Sequence, residues 1–89
     1  MSSVRILKRD VRYVIGDIID VIYVTEMTTT GKPSEQSSAL LMESISTYDE
    51  MMARINQKPE GSAKAHFKAI RNDFEKTVFQ LVEKVNALN

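Results

Sequence analysis

The chain has 89 residues, no cysteine, and twelve Lys and Arg balanced by twelve Asp and Glu. A chain of this length builds one core, burying roughly 60–65% of the surface exposed when unfolded. Without cysteine it has no disulfide frame, thiolate nucleophile or sulfur-ligated zinc, and its zero formal charge marks it overall as neither a nucleic-acid binder nor an acidic tail.

The first apolar run is VRYVIGDIIDVIYV, Val11 to Val24. It is shorter than the ~20 residues a membrane span needs, and Arg12, Asp17 and Asp20 interrupt it. The same interruptions, and the lack of a small-residue cleavage site after it, argue against a secretory signal, so a cytoplasmic protein is expected. As a strand, the run would place an aspartate among aliphatics on both faces. At about 100° per residue, Arg12, Gly16, Asp17 and Asp20 fall on one side, and Val11, Val14, Ile15, Ile18, Ile19, Val21 and Ile22 on the other. The run is therefore read as a helix over about 4–27, with Val4, Leu7, Val11, Val14, Ile18, Val21 and Thr25 as its seam. Ile18 is expected at the core centre and Asp20 in solvent. High β-branched content, and Gly16 at up to ~1 kcal/mol relative to Ala, mean that packing has to hold this helix.

The breaker TTTGKP follows. Ser34 can then cap a second helix over about 35–57, with a seam of Leu41, Ile45, Tyr48, Met52 and Ile55. NQKPEGS ends it. Ser62 can cap a third helix over about 63–88, with Phe67, Ile70, Phe74, Val78, Leu81, Val85 and Leu88 along one side. Matched lengths and short connections predict an all-α fold: an up-down-up antiparallel three-helix bundle forming a single domain over 1–89.

The segments KRDVRYVIGDIIDVIYV, AHFKAIRNDFEK and LVEKVNAL resemble a group of small uncharacterised all-helical bacterial proteins that share a lysine-rich start, a D-V-x-Y-x-x-G-D-I-I segment and an A-H-F-K-A-I segment. The resemblance spans most of the chain and implies a compact helical fold. The group carries no assigned activity, so no functional residue is transferred.

Residues that could support chemistry are sparse. The single histidine, His66, has Ser62 and Ile70 one turn away where a metal site would want a second ligand, and is read as a boundary residue near the bundle end. Asp17 and Asp20 are read as solvated, because a hard cation wants six or more oxygens. The serines of SSALLMESIS lack a nucleophile turn and a base, and Gly16, Gly31 and Gly61 are too far apart for a phosphate loop. No enzyme, cofactor or metal is expected.

Two surface features remain. Phe79 falls nearly opposite the third helix's core side, in line with Ala65, Ala69 and Asn72 and beside Lys76 and Glu83; on the first helix, Ile6, Tyr13 and Val24 lie along the outer side. Such strips suggest contact with another chain. In the expected bundle, Arg5, Lys8, Arg9, Arg12, Arg54, Lys58, Lys64, Lys68 and Arg71 gather at one end, leaving most acids at the other. Basic residues at helix starts oppose the macrodipole by about 0.3–1 kcal/mol each, a cost an antiparallel partner chain would offset. The reading that follows is a small scaffold or interaction module that forms a homodimer or docks a partner helix. The alternative is a nucleic-acid accessory protein using the basic end of Arg5, Lys8, Arg9, Arg12, Lys64, Lys68 and Arg71. It is weakened by the absence of interleaved aromatics and of a groove-reading motif.

Overall fold

The computed structural model of the chain describes residues 2–88, with side chains from residue 4 onward. Three helices, α1 (Ser2–Thr29), α2 (Glu35–Asn56) and α3 (Ala63–Asn86), run up, down and up, and each packs against the other two. The molecule measures 48 × 19 × 15 Å, its length set by α1. The helix limits match the expected ones except that α1 extends two residues further at each end, α2 stops one residue sooner and α3 stops two residues sooner. Of the expected domain, Met1 and Asn89 lie outside the described residues.

Local chemistry ends each helix where the sequence changes character. The amide of Gly31, at φ 75°, donates to the Glu26 carbonyl at 2.7 Å and turns the chain out of α1; a left-handed φ is open to glycine without a Cβ penalty. Ser34 and Ser37 form a reciprocal cap on α2: the Ser37 amide donates to Ser34 Oγ at 3.0 Å, and the Ser34 amide to Ser37 Oγ at 2.9 Å. Ser62 Oγ accepts from the Ala65 amide at 3.2 Å at the start of α3.

The core joins Leu7, Val11, Ile15, Ile18 and Ile22 of α1 to Leu40, Met51 and Ile55 of α2 and Ile70, Phe74, Leu81 and Val85 of α3. The α3 seam lies where the apolar spacing places it, with Phe67, Val78 and Leu88 partly buried at its margins. Two expectations are corrected. Val21 is half-exposed on α1, and the fully buried position is its neighbour Ile22. On α2 the seam is Ser37, Leu40, Ser44, Thr47, Met51 and Ile55, while Ile45 is 52% exposed and Leu41, Tyr48 and Met52 are only partly buried.

Hydroxyls account for the rotation of α2. Ser44 Oγ donates to the Leu40 carbonyl at 2.8 Å and Thr47 Oγ1 to the Glu43 carbonyl at 2.9 Å, so these groups satisfy themselves within their own helix and can be buried. Ranking positions by apolarity alone therefore moves the seam to the larger neighbours.

The candidate interaction face between α1 and α3

The three helix pairs are tied in different ways. Between α2 and α3, Arg54 Nη1 lies 2.9 Å from Asp73 Oδ2 and Lys84 Nζ 2.9 Å from Glu43 Oε2. The His66 Nε2–H donates to the Arg54 carbonyl at 3.1 Å, and its ring meets Phe67 edge-on. Between α1 and α2, the Ser37 hydroxyl donates to Glu26 Oε2, a carboxylate only 6% exposed. Between α1 and α3, the one ion pair among the described residues is Arg71 with Asp10, at a long 3.9 Å. Elsewhere the parallel helices α1 and α3 meet through aliphatic side chains.

Because α2 covers only one side of that pair, the opposite side is an open groove. At its basic end lies a recess of about 650 Å³ between the starts of the two helices, with Val4, Leu7 and Phe67 inside and Lys64, Lys68 and Arg71 at the rim. Midway, Val14, Val78, Phe79 and Val82 line a shallow hollow beside Glu75. Further on, a hollow of about 380 Å³ runs between Asp17, Ile18 and Val21 on α1 and Val78, Val82 and Val85 on α3. Phe79 is 64% exposed, Val21 49% and Val82 42%. Water-exposed aliphatic and aromatic side chains along one groove form the kind of surface that another chain covers.

The strip expected around Phe79 is divided by the structure. Phe79 lies on the shoulder facing α1, with Val78 and Val82. At about 100° per residue, Glu83 and Ala65 stand some 40°, Lys76 some 60° and Ala69 some 80° from it, all turned further from α1. Ala65 borders the end of the bundle with Gln57, Lys58 and His66. On α1, Ile6, Tyr13 and Val24 are exposed and lie within about 40° of the line of Asp17, which lines the groove. They stand on the side of Asp17 away from Val14 and Val21, so neither expected strip faces the groove as a whole, and of the residues expected in them Phe79 is the one that lines it.

The basic end is divided too. Lys64, Lys68 and Arg71 surround the recess, and Arg9 lies 4.0 Å from Asp10. Lys8 lies five turns before Glu26 and so on the side of α1 that faces α2, with Arg5 and Arg12 within about 60° of that line. The body of α1 therefore separates these three from the recess.

Glu26 was not legible as a buried group, since a carboxylate near a helix end normally reads as solvated. The Ser34 and Ser37 pair three residues apart was the available signal, because a serine hydroxyl that accepts from the cap amide still has its proton to donate to a group on a facing helix. Among the described residues, no group of three His, Cys, Asp or Glu side chains could hold a metal ion, and no helix is long and apolar enough to cross a membrane. Compared with protein-family models, with curated proteins and with solved structures, the chain matches none. The likeness to small helical bacterial proteins gains no support from those comparisons.

Proposed function

We propose that the chain is a small non-enzymatic protein-interaction module that uses the groove between α1 and α3 to dock a helical surface, its own or a partner's. The observation behind this reading is the groove itself: α1 and α3 share one long ion pair, Arg71 with Asp10, and Val21, Phe79 and Val82 stand in water along a groove of helical length. A helix laid in such a groove buries aliphatic and aromatic area, the dominant source of binding energy. We place this activity in the cytoplasm, as expected of a chain stabilised by packing rather than by disulfides.

Paired baits test the proposal. Proteins retained by the natural chain should be lost with Val82→Glu and kept with Ile45→Glu, whose site faces the α2 side. Loss with both variants, or with neither, contradicts the groove.

The clustering of Lys64, Lys68 and Arg71 favours the second reading, nucleic-acid binding, at one end only. Asp10, Asp17 and Glu75 stand along the same groove and would repel phosphate. Phosphate binding has to weaken steeply with salt, whereas apolar docking does not, so retention of single-stranded DNA at two salt concentrations separates the readings.

A further inference from the structure

We infer that the occupant of the groove is a second copy of this chain, related by a two-fold axis perpendicular to the helices, so that Phe79 of each copy enters the recess between the starts of α1 and α3 of the other. This rests on the helix-docking reading above and adds to it the partner and the register. The recess and the aromatic are complementary in kind. One is a hollow of about 650 Å³ floored by Val4, Leu7 and Phe67, and the other is a side chain 64% exposed on the same groove. They cannot meet within one molecule, because Phe67 and Phe79 are about 18 Å apart along α3 at 1.5 Å per residue. A two-fold axis midway between them, near the level of Asp73, satisfies both at once.

That axis is placed by shape alone, yet it also pairs the charges. Residues equally distant on either side of it come face to face, so Arg71 of one copy meets Glu75 of the other. Asp17 stands on α1 close to the level of Phe79, since both lie beside Val78 and Val82, and so faces the end of the partner's groove bearing Lys64 and Lys68. A parallel arrangement would instead lay α3 of one copy over α1 of the other at the same level, leaving Phe79 away from the partner's recess and the lysines of both copies at one end. Opposite charges set in register favour this dimer over the parallel one and speed its formation.

Sedimentation of the full chain from micromolar to millimolar concentration is the first test. The natural chain should form a dimer, Phe79→Glu should weaken it at least tenfold with helical circular dichroism retained, and Ile45→Glu should leave it unchanged. A chain that stays monomeric overturns self-docking but not the groove, which the paired baits judge separately. A dimer that survives Phe79→Glu and breaks with Ile45→Glu overturns the groove itself.

Should Phe79→Glu unfold the chain, Arg71→Glu serves instead: it should weaken the dimer, and adding Glu75→Arg should restore it. No restoration overturns the register. Because the sequence has no cysteine, single cysteines report the axis directly. Glu75→Cys, with its two copies offset by only about 6 Å along the helices, should oxidise to a covalent dimer, and Lys64→Cys, with copies offset by about 27 Å, should not. The reverse pattern overturns the antiparallel arrangement.

Discussion

Truncating Met51 should destabilise the protein more than truncating Ile45, although the spacing of large apolar residues assigns Ile45 to the seam. Met51 is 3% exposed and packs in the core, so Met51→Ala removes buried atoms and leaves a cavity, at about 2–5 kcal/mol. Ile45 is 52% exposed. Full burial of an isoleucine side chain contributes about 1.5–3 kcal/mol, so the buried half accounts for about 0.7–1.5 kcal/mol. Alanine recovers a few tenths through its higher helix propensity, leaving about 1 kcal/mol or less. Against a total stability of about 4–13 kcal/mol for a chain of this length, the two variants differ enough to resolve. Urea melts followed by far-ultraviolet circular dichroism measure both. They should be run at one protein concentration, because association adds to apparent stability, and with unchanged slopes, so that midpoints report stability. If Ile45→Ala costs as much as Met51→Ala, α2 has the other phase and the hydroxyl seam is wrong.

Three further outcomes follow in the same melts. Glu26→Ala removes the charged acceptor of the buried Ser37 hydroxyl, leaving it only the Ser34 carbonyl at 3.1 Å, and should cost about 1.5–3 kcal/mol, whereas Glu26→Gln keeps an acceptor across the helices and should cost clearly less; equal losses would show that the hydrogen bond is not what matters. Ser44→Leu should cost about 1–3 kcal/mol by overpacking, while Ser44→Ala stays within about 1 kcal/mol because the Leu40 carbonyl keeps its helical amide; a costly alanine variant would contradict that. Gly16 lies inside α1, and a Cβ there meets no atom within 4 Å, so Gly16→Ala should raise stability by about 0.5–1 kcal/mol; a loss would mean that Gly16 is needed for a close approach.

Periodicity made the fold class and the α3 core legible, because Ile70, Phe74, Leu81 and Val85 are large, apolar and spaced for one face. It failed on α2 because the same spacing, shifted by one residue, runs through Ser44 and Thr47, whose hydroxyls bond back to their own helix. Capping was legible at Ser34 and Ser62 because a side-chain oxygen three residues before a free amide is a local matter. The groove was half-legible: Phe79, Ile6, Tyr13 and Val24 stood out as exposed, but which of them borders the groove depends on how each helix is rotated against its neighbour, and of the four Phe79 does. Glu26 was illegible, since its burial depends on the start of α2 lying against it.

The most direct test of the groove is a dilution series of ¹H–¹⁵N spectra on the uniformly labelled chain. Amide shifts that move with concentration should concentrate on Leu7, Val14, Val21, Phe67, Val78, Phe79 and Val82, with Tyr23, Met42 and Ile45 still. Shifts confined to Tyr23, Met42 and Ile45 would place any self-contact on the other side of α1 and contradict the account.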